Sequence, residues 1–184
     1  MRISAESETE LIRRAKRGDR EAFGTLVLRH GPMVRRLTRA VLGHGPDADD
    51  AAQDAFFSAW SKLDRFADGQ PLGPWLARIA LNAARDLRRR RVVRRAEPIE
   101  TVQVIAPDAP DAQTDRALLR GRLEGALAEL PERQRVALLL HEVEGYAHAE
   151  IGALLGVPEG TARSEVFHAR RKLRAALGVQ EGTP

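Results

Sequence analysis

The chain has 184 residues, no cysteine, and 30 Lys plus Arg against 26 Asp plus Glu, for a net charge of +4. That length suits one ordinary domain or two small ones, and the missing cysteine excludes disulfides, thiolate metal sites and cysteine nucleophiles. No apolar run approaches the roughly 18 residues of a membrane span, and the polar, acidic start MRISAESETE is unlike a signal peptide, so a soluble, cytoplasmic protein without membrane insertion is expected.

Charge is unevenly distributed. Residues 1–40 carry +5, 41–70 carry −4, 71–95 carry +7, 96–119 carry −4, and 120–184 sum to zero. An arginine-favouring codon usage explains part of the arginine excess but not this alternation. The alternation implies separate surfaces for separate partners, at least one of them a polyanion.

Helical periodicity dominates and no strand run stands out, so the expected fold is all-α. Glu8 to Arg17 reads as a short helix stopped by Gly18. Glu21 to Leu42 reads as a longer one, with Phe23, Leu26, Val27, Val34, Leu37 and Val41 as its apolar stripe and with Gly31-Pro32 expected to kink or interrupt it. Asp47 is the expected N-cap of a helix from Ala48 to Leu63, with Asp49 and Asp50 suited to its positive end. A turn-rich loop, Asp64 to Gly73, leads to a helix from about Pro74 to Val92 that ends in a run of arginines. Between Ala96 and Ala112 there are three Pro, four acidic residues and no basic one, the composition of a flexible acidic linker. Four further helices follow, at Asp115 to Glu129, Pro131 to Val143, His148 to Leu155 and Glu159 to Leu177. The expected architecture is two small helical domains, 1–95 and 114–178, joined by a linker at 96–113 and followed by a short tail at 179–184.

The segment Glu150 to Arg163 has helix-turn-helix spacing. Gly152 is small where two helices must cross, Gly156 permits the turn, Val157 plugs it, and Ala162 and Val166 face the core. Thr161, Arg163, Ser164, Glu165 and His168 are then expected to point outward where base edges are read, with Arg170, Arg171, Lys172 and Arg174 as candidate phosphate contacts. An ordinary helical hairpin with a solvated polar face has the same spacing.

In the N-terminal half, DADDAAQDAFFSAW places Asp47, Asp50 and Asp54 on one helix face. Downstream, Arg78, Asn82 and Arg85 share a face that continues into Arg88 and Arg89. Each could be merely a solvated face. The second also has Phe66, Trp75 and a Gly/Pro loop beside it, a combination that suits single-stranded nucleic acid: rings stack bases, Asn bonds their edges, and Arg tracks the backbone.

The order DADDAAQDAFFSAW, loop, WLARIALNAARDLRRRR, linker, LPERQRVALLLHEVEGYAHAEIGALLGVPEGTARS resembles the extracytoplasmic-function sigma factors of bacterial RNA polymerase, over roughly Glu8 to Leu177. The resemblance implies that Asp50, Gln53, Asp54, Phe57 and Trp60 dock on the clamp helices of the polymerase β′ subunit. It implies that the loop holds a base flipped from the non-template strand of the minus-ten element. Phe66, Trp75, Arg78, Asn82 and Arg85 would line that strand, and the arginines from Arg88 and Arg89 onward would hold the upstream duplex. The linker would thread the polymerase channel, its Glu97, Glu100 and Asp108 mimicking nucleic acid charge. Thr161, Arg163, Ser164, Glu165, His168 and Arg171 would meet the minus-thirty-five element. A cognate anti-sigma factor is also implied, and neither catalysis nor a cofactor.

Two departures alter the expectation. Where the family's recognition helix commonly reads GTV(K/R)SRLHRAR, this chain has Glu165 and His168 in place of arginines, so altered or weakened minus-thirty-five readout is expected, with Glu165 able to accept from cytosine N4. Ala51 and Ala52 are smaller than the usual aliphatic pair, which implies slacker packing. Two other functions remain open at this level. A helix-turn-helix regulator acting without polymerase would explain residues 115–177 but not the Arg78/Asn82 ladder. An all-α Mg-dependent enzyme would have to rely on Asp47, Asp50 and Asp54, a thin ligand set. The five histidines lack zinc spacing, and there is no P-loop and no G-x-S-x-G.

Overall fold

Capping chemistry sets the helix ends in this computed structural model, which describes residues 6–96 and 115–178. The helix α1 (Glu8–Lys16) starts at Ser7, whose hydroxyl accepts from the Glu10 N–H. Then α2 (Arg20–Leu42) starts at Asp19, whose carboxylate accepts from the Glu21 and Ala22 N–H groups at 3.0 and 3.1 Å and also holds Arg14. Those bonds keep the Asp19 carboxyl below its ordinary pKa, the Ala22 N–H contributing most.

Of the expected kink or interruption at Gly31-Pro32, the interruption does not occur: α2 runs through it. Pro32 lies on the exposed side of the helix, and so does Leu28, whose carbonyl loses its donor there and can turn to water. A second expectation is also corrected. The next helix, α3 (Pro46–Lys62), begins two residues earlier than predicted, with Pro46 in its first turn and Gly45 before it, so Asp47 is inside the helix rather than capping it. A single 3₁₀ turn, Leu63–Arg65, follows, and α4 (Leu72–Ala96) then starts two residues before Pro74 and extends beyond Val92.

The buried side of α3 is Ala48, Ala51, Ala52, Ala55 and Ala59, each closed from solvent. Their small side chains let α3 lie close on α2, whose Leu26, Val34, Leu37 and Val41 supply the bulk. Ala51 and Ala52, where slacker packing is expected, are both buried. Helix α4 contributes Leu72, Leu76, Ala77, Ala80, Leu81 and Ala84 to the core.

The chain divides into two compact units, Met1–Arg88 and Arg89–Pro184. The expected linker acids Glu97, Glu100 and Asp108 lie outside the described residues. In the second unit, α5 (Asp115–Ala128), α6 (Glu132–Glu142), α7 (His148–Leu155) and α8 (Glu159–Leu177) gather around Val136, Leu140, Ile151 and Val166. Arg135 donates to the Leu127 and Ala128 carbonyls that end α5. Glu150 accepts from the Ala147 N–H at 2.8 Å and so secures the start of α7.

The α7–α8 corner is tight. A Cβ on Gly152 would sit 2.7 Å from the Val157 carbonyl oxygen, and Gly156 has φ +69°. Gly152→Ala is therefore expected to destabilise the second unit by about 1–3 kcal/mol. Gly160→Ala, whose Cβ would meet nothing within 4 Å, is expected to leave it at least as stable, since alanine favours the helix over glycine. Urea unfolding of the two variants checks this.

Candidate polymerase and nucleic acid surfaces

Burying the alanine side of α3 turns the opposite side to solvent. Asp50, Gln53, Asp54 and Phe57, spaced i, i+3, i+4 and i+7, form an exposed stripe, with Phe57 73% exposed. An acidic stripe ending in a bare aromatic ring can meet a partner that offers both cations and an apolar notch. Trp60 sits differently from these four. It is half-buried, with Phe23 of α2 edge-on at 4.8 Å, so only part of its ring is available to a partner.

On α4, Arg78 and Asn82 are exposed and Arg85 is half-buried, a rising ladder on one helix face. Partial burial pulls the Arg85 guanidinium below its ordinary pKa. Arg88 and Arg89 are exposed further along the helix. The expectation that Phe66 offers an open ring face is corrected. Its ring is 5% exposed and lies under half-buried Trp75 at 5.1 Å. Phe66 therefore shapes the floor of the loop, and the exposed residues are Ala67 to Pro71.

That loop is fastened to α1. Lys16 Nζ donates to the Phe66 carbonyl and to Asp68, both at 2.6 Å. The Glu8 carboxylate lies 2.7 Å from His30 Nε2 and, more loosely, accepts from the Leu72 N–H at 3.4 Å. These residues carried no local signal in the sequence: Lys16 and Asp68 are 52 positions apart.

In the second unit, Arg163, Ser164, His168 and Arg171 are exposed along α8 and Thr161 is partly so. Glu165 departs from expectation: its side chain is only 18% exposed and faces Arg133 of α6 at 3.9 Å. It lies against a neighbouring helix rather than outward toward a base. Arg170 is likewise engaged, its Nε and Nη2 both donating to Glu142 at the end of α6. Sequence reasoning missed Phe167, which is 59% exposed and meets the His168 ring edge-on at 5.6 Å. The signal was there: an apolar ring off the period set by Ala162, Val166 and Ala169.

A histidine pair joins α6 to α7. The rings of His141 and His148 stack at 4.4 Å with 24° between planes, and His141 Nδ1 contacts the Tyr146 carbonyl at 3.0 Å. Desolvation first, then the charge fields of His141 and Arg163, hold the His148 pKa below its ordinary value. The unfolded chain thus takes up this proton more readily than the folded one. The stability tied to His148 is whole above about pH 6.5 and declines as pH falls below it. Denaturant unfolding at pH 7.5 and pH 5.5 should show a larger loss for the native chain than for His148→Gln.

Among the described residues no group of three or more His, Asp or Glu is placed to hold a metal ion, and no helix is long and apolar enough to cross a membrane.

Comparison with known proteins matches residues 26–93 to the family model "Sigma-70 region 2" and residues 120–173 to "Sigma-70, region 4". The chain is 37% identical over 172 residues to the ECF RNA polymerase sigma factor SigM of Mycobacterium tuberculosis (strain ATCC 25618 / H37Rv), covering 94% of this chain and 85% of that one. Among solved structures it is similar to CnrH in complex with the cytosolic domain of CnrY, with a TM-score of 0.68 and 30% identity over 96% of this chain and 100% of that chain. It is also similar to the sigma factor RpoE of Bartonella quintana in complex with the anti-sigma factor NepR, with a TM-score of 0.70 and 27% identity over 86% and 98%.

Proposed function

The chain belongs to the extracytoplasmic-function sigma factors of the sigma-70 family, and on that premise we propose which of its surfaces meets which partner. As a sigma factor it directs RNA polymerase core to promoters and initiates transcription there. The observation that carries this is the match of two separate sigma-70 regions, in order, to residues 26–93 and 120–173. A helix-turn-helix regulator working without polymerase would account for the second match alone.

Core polymerase docks on the exposed stripe Asp50, Gln53, Asp54 and Phe57, with the edge of Trp60 beside it. The cationic helices this stripe calls for are the β′ clamp helices. Arg78, Asn82 and Arg85 take the minus-ten non-template strand: Asn82 bonds base edges, and the two arginines follow the phosphates. Trp75 backs the loop whose tip, Ala67 to Pro71, receives a flipped base. Arg88 and Arg89 hold the duplex upstream. In functional terms, residues 1–95 serve the core and the minus-ten element, 114–178 the minus-thirty-five element, and 96–113 connect them, with 179–184 as a tail.

Major-groove readout falls to Thr161, Arg163, Ser164 and His168 near the start of α8, with Arg171 on phosphate. Phe167 adds an apolar face suited to a thymine methyl group. Glu165 and Arg170 act within the protein, tying α8 to α6. An anti-sigma factor restrains the protein, a reading supported by the complexes in which CnrH and RpoE were solved. Its work is done in the cytoplasm, where the polymerase is.

Two variants separate the surfaces. Asp50→Lys combined with Asp54→Lys is expected to weaken binding to core polymerase by about tenfold or more, since reversed charges at close range cost several kcal/mol. Asn82→Ala is expected to leave that binding intact while slowing promoter opening. Titration against labelled core polymerase and stopped-flow opening of a minus-ten duplex give the two readouts; an equal loss of core binding in both variants would contradict the assignment.

A further inference from the structure

The α1 helix spans about 12 Å between Glu8 and Lys16 at 1.5 Å per residue. Each of these residues grips one end of the loop between the 3₁₀ turn and α4. At one end, the Lys16 ammonium bridges the Phe66 carbonyl and the Asp68 carboxylate at 2.6 Å each. Its stem runs beside the Phe66 ring, with Nζ 6.0 Å from the ring centre, and the side chain is 20% exposed. At the other end, Glu8 reaches the Leu72 N–H, one of the donors that the first turn of α4 leaves without a helical partner. The Glu8 carboxylate is itself held on α2 by His30.

Six residue steps from Phe66 to Leu72 could stretch to roughly 20 Å. Held at both ends by α1 side chains, the segment bulges rather than running straight. The bulge is visible in the Gln70 N–H to Ala67 carbonyl turn at 3.4 Å and in Gly69 at φ +78°. The consequence is an exposed tip of defined shape over a buried aromatic floor.

We propose that Lys16 and Glu8 are positioning residues for minus-ten capture, holding the two ends of the loop so that its tip meets the displaced strand already shaped. This rests on the reading that the tip receives a flipped base. Neither residue touches DNA; both act through the loop, and preorganisation is what they supply. The Lys16 ammonium also keeps the Asp68 carboxyl below its ordinary pKa, so the tip carries a charged carboxylate that is already paired.

The test uses the full chain with core polymerase and measures binding to single-stranded minus-ten oligonucleotides carrying each of the four bases at the captured position. Lys16→Met keeps the stem and removes the charge; it should reduce discrimination among the four bases by about tenfold, the order of one lost base preference. Glu8→Gln should reduce it less, and Lys16→Arg should restore much of it. Binding to core polymerase should be unchanged in all three. Gln70→Trp, which loads bulk on the tip without touching either anchor, tests the underlying reading and should alter base preference itself.

If Gln70→Trp alters preference while Lys16→Met and Glu8→Gln do not, the positioning role is overturned and the loop reading stands. If none of the variants alters preference, the loop reading is overturned and the positioning role with it. A parallel loss of core binding in Lys16→Met would make α1 a general brace of the fold and would also overturn the proposal. Circular dichroism of each variant guards against unfolding, with Lys16→Arg as the milder substitution.

Discussion

The close seat of α3 on α2 governs the first unit. Five alanines, from Ala48 to Ala59, make up the fully buried side of α3, with half-buried Trp60 packed on Phe23 beyond them, and Leu26, Val34, Leu37 and Val41 of α2 supply the bulk opposite. A helix seated through methyl groups has a fixed rotation, because a turn about its axis would drive Phe57 or a carboxylate into the contact. That rotation puts Asp50, Gln53, Asp54 and Phe57 together on the outside. The surface proposed to dock on core polymerase is therefore the complement of the packing surface. The same economy recurs in α4, where Ala77, Ala80 and Ala84 face inward and Arg78 and Asn82 face out.

The second unit reaches its function through a tight turn and a set of ion pairs. Gly152 lets the chain at Val157 pass close to α7, which sets where α8 begins. Glu142 with Arg170 and Glu165 with Arg133 then tie α8 back to α6. Such partly exposed pairs each contribute modestly to stability. Their larger effect is geometric: they separate the arginines that hold the helix from those that face outward. Two residues that look like DNA-binding candidates in a linear motif are thus engaged with α6, Glu165 beside Arg133 and Arg170 with Glu142.

Helix order and most boundaries could be read from the sequence because capping residues, glycine stops and the 3.6-residue period are local. The alternation of charge marked the two outward faces for the same reason. Reading failed where a neighbour distant in sequence decides. Pro32 is tolerated because its side of α2 is exposed, which periodicity around it did not show. Phe66 is a loop aromatic by sequence and a buried floor by virtue of Trp75. Glu165 follows the outward pattern of α8 until Arg133, on another helix, is brought beside it. The α1 anchors were invisible altogether, since Lys16 and Glu8 meet partners more than 50 positions away. The linker acids Glu97, Glu100 and Asp108 remain a compositional observation.

The central claim is that this chain gives polymerase core its promoter choice through two separate outward faces. Run-off transcription tests it most directly, with core polymerase, a pool of promoter fragments from the source genome, and the chain either present or omitted. The account predicts transcripts from a discrete subset of fragments only when the chain is present. Tight duplex binding by the chain alone, with no transcript from any fragment, would contradict it.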